Sequence, residues 1–355
     1  MPIAAQPRVA RRIIGANMSS RTLERVTAVD AHAAGGVVRL VTGGFPVPRG
    51  RTMTAKAETL ARRHAGLCGA LTLEPRGHDG VVLAVLCEPV TSGADAGIVF
   101  LHGGGPLPLC GHGLIGAATI AIERRLIVPR LPGTLHLDTT AGMVAVAFDA
   151  IDSEGGTRVR RARYAGPAAF VLAGGVALEL RSRTVRVGLA FGGTEFLVIA
   201  DSESAGVPLG RAHVWDLRQA AGAILSAAGS SIAAVHPADG SIREFGGAVF
   251  TGPPERSDAQ LRCQAIYADG GVDRSPSGSA VSGTMAVLDR MGLAGSETVI
   301  LESLTGTTMR ARIIEHVEVG TTPGVRVEIE ASAWIIADHE FHMPPDDPLV
   351  DGVSW

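Results

Sequence analysis

Lysine and asparagine are almost absent from this chain of 355 residues, which contains one of each, Lys56 and Asn17. We attribute this scarcity to a bias in genome composition. It nearly excludes Schiff-base chemistry, because Lys56 is the one side chain that could form an imine with a carbonyl substrate. The chain also has no large excess of positive or negative charge. The formal net charge is −3, so we expect no nucleic-acid partner.

Cysteine is also scarce, and its spacing gives no sign of a metal site. The four cysteines show neither C-x-x-C spacing nor a pairing rhythm, so neither zinc nor a disulfide framework is indicated. Cys68, Cys87 and Cys263 lie in apolar sequence and are predicted to pack in a core. We therefore expect no metal site.

Long apolar runs are missing as well. No run reaches the length that spans a membrane, and the first twenty residues lack the apolar stretch of a signal peptide. Residues 1–20 are predicted to be a disordered extension. We expect a cytoplasmic protein without a membrane partner, and its 46% of hydrophobic residues suffices for proper cores.

Residues 273–282, with the sequence DRSPSGSAVS, predict a tight loop that leads into a helix. Pro276 fixes its own φ, Gly278 allows close backbone approach, and an apolar helical pattern runs from Ser279 to Met291. A hydroxyl at Ser277 and free backbone N–H groups would then meet at a helix N-terminus. Such an end is suited to binding an anion.

Residues 108–116, with the sequence PLCGHGLIG, repeat this design earlier in the chain. A nucleophilic side chain, Cys110, again precedes a glycine, and a helix is predicted through about Arg124. The positive end of a helix dipole favours a thiolate. Each stretch alone could be no more than a helix cap. The pairing suggests two half-chains, each with a reactive group and an anion-binding end.

The order strands, helix, strands occurs twice and predicts two domains. We place the first at residues 21–165 and the second at residues 166–340, divided near Gly166-Pro167. Residues 341–355 form a C-terminal tail that could pack back on the first domain. No sequence repeat is obvious, although the organisation is duplicated.

Several blocks, in the same order, resemble the proline racemase family. Leu109-Cys110-Gly111-His112-Gly113 is similar to the family's Met-Cys-Gly-His-Gly, and residues 273–276 match its Asp-Arg-Ser-Pro. The resemblance covers about residues 26–352. It implies an α/β (α+β) fold of two pseudo-symmetric domains like those of diaminopimelate epimerase. Each would be a curved sheet around a central helix, with the active site in the cleft between the domains. One departure is Gly36, which stands where the family has a glutamate.

The resemblance also implies roles for individual residues. Cys110 and Ser277 occupy the two catalytic positions, and Asp273 and His112 would hold the ring nitrogen of a proline-type imino acid. Backbone N–H groups at four positions would bind the substrate carboxylate: Gly111, His112, Gly278 and Ser279. No cofactor is implied, and a homodimer is the family expectation.

The residue at position 277 decides the predicted activity. Family racemases and epimerases have a second cysteine there, whereas the context of Ser277 resembles the trans-3-hydroxy-L-proline dehydratases, which have threonine. A serine hydroxyl is a poor acid or base without an activating group, and no histidine or lysine is adjacent in sequence. We therefore expect dehydration to Δ1-pyrroline-2-carboxylate, with Cys110 removing the Cα proton.

Two alternatives remain. One is a proline racemase or 4-hydroxyproline 2-epimerase, in which Ser277 could be an engineered replacement of a cysteine. The other is a non-catalytic protein that binds imino acids.

Overall fold

The computed structural model describes residues 25–103, 105–181 and 183–354. The predicted extension at residues 1–20 lies outside them. The first part of the chain forms, in order, β1 (Arg25–Ala33), β2 (Gly36–Gly43), α1 (Met53–Arg63), α2 (Ala65–Thr72), β3 (Val82–Cys87), β4 (Ala96–His102), β5 (Gly105–Leu107), α3 (Gly111–Glu123), β6 (Thr134–Thr139), β7 (Gly142–Ser153) and β8 (Gly156–Ala165).

The remainder is richer in strands. It forms β9 (Ala169–Leu180), β10 (Arg183–Phe191), β11 (Phe196–Asp201), α4 (Ser202–Ala205), a 3-10 turn (Arg211–His213), α5 (Val214–Ser231), β12 (Ala234–Val235), β13 (Ile242–Arg243), β14 (Phe245–Gly252), β15 (Leu261–Tyr267), α6 (Gly278–Arg290), β16 (Val299–Glu302), β17 (Thr308–Val319), β18 (Thr322–Ala331) and β19 (Ala333–His342).

The chain divides into two compact units. Unit 1 contains the described residues up to 164 together with those from 332 onward, and unit 2 contains residues 165–331. This division differs from the sequence-based boundary at 340. The reason is β19, which pairs antiparallel with β1 from Arg25↔His342 to Ala33↔Ala333 and so belongs to unit 1.

In unit 1, the strands surround helix α3. The helix contacts β1, β2, β3, β7 and β19. Every residue from His112 to Ile122 is buried, as expected for a helix that is apolar on all sides and lies inside a core. The small residues Gly116, Ala117 and Ala118 let the strands approach closely. The N-terminal end of α3 is therefore held inside the unit.

A buried ion pair ties several elements of unit 1 together. Arg39 on β2 donates two hydrogen bonds to the Asp30 carboxylate on β1, at 2.9 and 2.8 Å. Its remaining nitrogen donates to the carbonyls of Leu71 and Arg76, each at 2.7 Å. The guanidinium also stacks 4.5 Å from the centroid of the Phe341 ring. This pair is well satisfied, as a buried charge must be.

The main sheet of unit 2 closes on itself around helix α6. Its strands pair in the order β9-β10-β11-β14-β15-β16-β17-β18, and β18 returns to β9. The closing seam has two residue pairs, Gly324↔Phe170 and Val325↔Ala169. Helix α6 contacts β9, β10, β11, β15, β17 and β18, and residues 280–286 are buried. The N-terminal end of α6 is thus enclosed as well.

Helix α5 packs on the same sheet, against β9, β11, β14 and β15. Its buried residues Leu217, Ala221, Ile224 and Ala228 recur at the spacing of one helical face, as in an amphipathic helix. These side chains share a core with Phe170, Phe191 and Phe196.

The predicted fold is confirmed: each unit combines a sheet with a central helix. The predicted helices after Cys110 and Ser277 correspond to α3 and α6. Among the described residues, no helix is both long and apolar enough to cross a membrane.

The Arg39–Asp30 pair predicts a large difference between two arginine substitutions. Arg39→Met should lower the free energy of unfolding by about 3–5 kcal/mol, because it removes the buried guanidinium that neutralises Asp30 and leaves the carboxylate with His339 Nε2, at 2.9 Å. Arg25→Met should cost less than about 1 kcal/mol, since its ion pair with Glu340 is solvent-exposed. Urea unfolding of both variants measures the difference. Equal losses would contradict the importance assigned to the buried pair.

Candidate active site

Cys110 is the N-cap residue of α3 and is buried. Its backbone is extended, with φ −131° and ψ 114°, and no side-chain capping hydrogen bond forms. The Cys110 carbonyl accepts from Leu114 N at 2.8 Å, which starts the helix. The thiol is therefore placed at the positive end of the helix dipole rather than used as a cap.

The His112 ring lies against this sulfur. Cys110 Sγ is 3.7 Å from His112 Nδ1 and 3.6 Å from Nε2. The ring in turn packs on Gly36, where an added Cβ would be 2.6 Å from His112 Cγ. Gly36 is the position that departs from the family pattern, and a larger residue there would overlap the His112 ring in its present position.

Ser277 is the N-cap residue of α6, and its backbone is strained. Its φ of 66° lies in the left-handed region, where a residue with a side chain is uncommon. The hydroxyl accepts from Ala280 N at 3.4 Å, and Ser277 N donates to Ser275 Oγ at 3.1 Å. Strain of this kind costs about 1–3 kcal/mol and is concentrated at functional sites.

Asp273 stabilises the loop before α6. Its Oδ1 accepts from the backbone N and the hydroxyl of Ser275, both at 2.8 Å. Its Oδ2 accepts from the Tyr267 hydroxyl at 3.0 Å. Asp273 therefore caps the turn that leads into α6. Oδ2 can accept a further hydrogen bond, and its binding of a ring nitrogen stays a prediction.

The Ser277 hydroxyl is part of a longer hydrogen-bonded chain. It lies 3.0 Å from the Tyr267 hydroxyl and 3.2 Å from Ser279 Oγ. Ser279 Oγ in turn donates to Glu195 Oε1 at 2.6 Å. Ser277 is thus connected through Tyr267 to the Asp273 carboxylate, and through Ser279 to the Glu195 carboxyl group.

Sequence reasoning missed Tyr267 and Glu195. A signal for Glu195 was present, because it is a charged residue directly before the apolar strand β11, although it lies 84 positions from Ser279. Burial, and then the charges of Asp273 and Asp269, raise the pKa of Glu195. Burial and the neighbouring carboxylates likewise raise the pKa of Tyr267 well above 10.

Burial governs the pKa values of the other three cysteines. Burial raises the pKa of Cys68 and of Cys87 to about 11, and that of Cys263 to about 12. These three thiols stay protonated at neutral pH, which agrees with the predicted core-packing role. Tyr164 lies close to Cys110. Its pKa is raised by burial and, to a smaller extent, by the charge of Cys110.

The predicted site residues fall into two groups, one in each unit. Unit 1 brings together Cys110, Gly111 and His112 at the start of α3. Unit 2 brings together the other four at the start of α6: Asp273, Ser277, Gly278 and Ser279. Their catalytic and binding roles remain predictions.

A family model described as proline racemase matches residues 28–354. This chain belongs to the proline racemase family. A 4-hydroxyproline epimerase from Brucella suis is 31% identical over 328 residues, which is 92% of this chain and 97% of that protein. A 4-hydroxyproline epimerase from Brucella melitensis has the same identity and coverage.

Solved structures of family members share the fold. A hydroxyproline epimerase from Agrobacterium vitis, solved with bound trans-4-hydroxy-L-proline, has a TM-score of 0.83 at 23% identity and covers 95% of this chain and 96% of its own. A probable proline racemase from Agrobacterium radiobacter, solved with bound carbonate, has a TM-score of 0.81 at 23% identity, with 93% and 96% covered.

These relatives correct the predicted activity. The prediction of a trans-3-hydroxy-L-proline dehydratase is wrong, because the relatives that match nearly the whole chain are named 4-hydroxyproline epimerase. The prediction rested on the lack of an activating group beside Ser277 in sequence. The fold supplies hydrogen-bonding partners from distant positions, so the serine alone does not indicate a dehydratase.

The strained backbone at position 277 predicts that a glycine variant of this protein is more stable than an alanine variant. Ser277→Gly and Ser277→Ala both remove the hydroxyl, but only glycine relieves the positive φ. The glycine variant should therefore be more stable by about 1 kcal/mol, after its larger unfolded-state entropy is subtracted. Thermal unfolding of the two variants measures this difference.

Ser282, inside α6, provides the matched control. There glycine should be less stable than alanine by about 1 kcal/mol, because the backbone is helical. The same sign at both positions would show that Ser277 is not strained.

Proposed function

We propose that this protein is a 4-hydroxyproline 2-epimerase, which inverts the Cα configuration of trans-4-hydroxy-L-proline to give cis-4-hydroxy-D-proline. The observation that supports it best is the 31% identity to proteins named 4-hydroxyproline epimerase, over 92% of the chain. The same enzyme class includes inversion of proline itself, which the experiment below tests as a second substrate.

Inversion requires one group to remove the Cα proton and another to return a proton to the opposite face. We assign the first role, in the L-to-D direction, to Cys110. A thiolate at the N-terminus of α3 breaks the Cα–H bond and becomes a thiol. The electron pair stays on the substrate, spread over Cα and the carboxylate.

The carboxylate carries this developing charge, and helix N-termini are suited to stabilise it. Backbone N–H groups of the first turn have no acceptor within their own helix. We assign those of Gly111, His112, Gly278 and Ser279 to the substrate carboxylate. Asp273 and His112 would hold the protonated ring nitrogen, where a carboxylate gives a charge-assisted hydrogen bond.

The second proton carrier is Ser277. Its hydroxyl breaks its O–H bond as a new C–H bond forms at Cα, and it needs a hydrogen-bonded neighbour to replace the proton. The contacts of Ser277 Oγ with Tyr267 and Ser279 support this assignment. An engineered replacement of cysteine by serine is not needed to explain the site.

The test is incubation of the unmodified protein with trans-4-hydroxy-L-proline or L-proline in D2O. We expect the D-epimer of hydroxyproline to form with deuterium at Cα, as measured by chiral chromatography and mass spectrometry. Cys110→Ala should lower the rate at least a thousandfold, because it removes the base assigned to the L-isomer. Cys68→Ala, which removes a buried thiol elsewhere in unit 1, should retain activity.

The other outcomes separate the alternatives. Inversion of L-proline alone would identify a proline racemase. Binding of either imino acid with no inversion and no deuterium uptake would identify a binding protein and refute the proposed function.

A further inference from the structure

The hydrogen-bonded chain beyond Ser277 leads to a carboxyl group that the proposed reaction does not yet use. We propose that Glu195 is the proton reservoir for Ser277 and exchanges protons with it through the Ser279 hydroxyl. This inference rests on the proposed function. Glu195 would not touch the substrate; it is a positioning and relay residue that acts through two hydroxyl groups.

The geometry supports transfer along this route. The distances are 2.6 Å from Ser279 Oγ to Glu195 Oε1 and 3.2 Å from Ser277 Oγ to Ser279 Oγ, both within hydrogen-bond reach. The short contact serves either protonation state: Ser279 donates to a carboxylate, or accepts from a carboxyl group. A hydroxyl both donates and accepts, so Ser279 can pass a proton in either direction.

The turn that carries Glu195 is seated on the start of α6. The Glu195 carbonyl accepts from Gly192 N at 2.8 Å, which closes the turn between β10 and β11. An added Cβ at Gly192 would overlap the Ser279 carbonyl, so glycine is needed for this close approach. The turn therefore fixes the carboxyl beside Ser279 rather than leaving it on a flexible segment.

The hydrogen bonds through Tyr267 and Asp273 are less suited to supply a proton to Ser277. Tyr267 has one hydrogen, which it donates to Asp273 Oδ2, and its pKa is raised well above 10. Asp273 already accepts two hydrogen bonds from Ser275. A phenol that stays neutral in this setting can accept from Ser277 but is a poor proton source. The Glu195 carboxyl, whose pKa burial raises from that of an ordinary glutamate, is the better source.

The proton balance of the L-to-D direction is as follows. Cys110 thiolate takes the Cα proton, and Ser277 gives its proton to the opposite face. Ser277 takes a proton from Ser279, which takes one from the Glu195 carboxyl. The enzyme ends with a Cys110 thiol and a Glu195 carboxylate. The D-to-L direction, or exchange with water, restores the starting state.

The relay predicts that substitution of Glu195 lowers kcat only when residue 277 needs a proton from Glu195. Glu195→Gln keeps the shape and the hydrogen bond to Ser279 but cannot exchange a proton. In the otherwise unmodified protein it should lower kcat for inversion at least tenfold, with KM changed less than twofold. In a Ser277→Cys background, where a thiol serves as its own acid and base, the same substitution should change kcat less than twofold.

This double-mutant cycle separates a relay from a structural role, because a structural loss would appear equally in both backgrounds. Ser279→Ala, which removes the intermediate hydroxyl, should give the same pattern as Glu195→Gln. Glu179→Gln is the matched control: Glu179 also accepts from a hydroxyl, that of Thr184, but on the exposed surface. It should leave kcat unchanged.

The outcomes are distinct. If the unmodified protein does not invert either imino acid, the proposed function fails, and the relay fails with it. If the protein inverts its substrate but Glu195→Gln lowers kcat equally in both backgrounds, or in neither, the relay alone is overturned. Circular dichroism and thermal unfolding of each variant identify any loss that comes from misfolding.

Discussion

The burial of two helix N-termini constrains most of this structure. A helix begins with backbone N–H groups that have no acceptor in the helix itself, and an unpaired polar group is costly where water cannot reach it. In unit 1 and in unit 2, strands surround a helix whose first turn starts with Gly111 or Gly278. The residues near each start are therefore small or polar. The same physical requirement that shapes these ends also makes them suitable for an anionic ligand.

The two ends meet this requirement differently. Cys110 gives no side-chain cap to α3, and a histidine lies against its sulfur. Ser277 accepts a hydrogen bond from its own helix and takes part in a chain of hydroxyl and carboxyl groups. A thiol can exchange a proton without help, whereas a hydroxyl cannot do so near neutral pH. The more extensive polar network at position 277 is consistent with that difference.

Sequence reasoning could predict the features that depend on local patterns. Helix α6 was recognisable from apolar spacing after Ser277, and α3 from the repeat of the same design after Cys110. Helix α2 was not, because its glycine-containing, apolar sequence lacks a helical period. The partners of Ser277 were also beyond reach. Tyr267 and Glu195 become its neighbours through strand pairing and a turn, and nothing in the spacing along the chain records that contact. The activity was misjudged for the same reason, since Ser277 was considered without these partners.

The closing seam of the sheet in unit 2 has a consequence for its motions. Strands β17 and β18 pair over nine positions, from Arg310↔Glu330 to Val319↔Thr322, whereas β18 joins β9 at two. Local opening requires least free energy where few hydrogen bonds and contacts must break. Amide hydrogens on either side of this seam should therefore exchange with solvent sooner than those inside the β17–β18 pair. Helix α6 contacts both seam strands, so opening of the seam would loosen one wall of its enclosure.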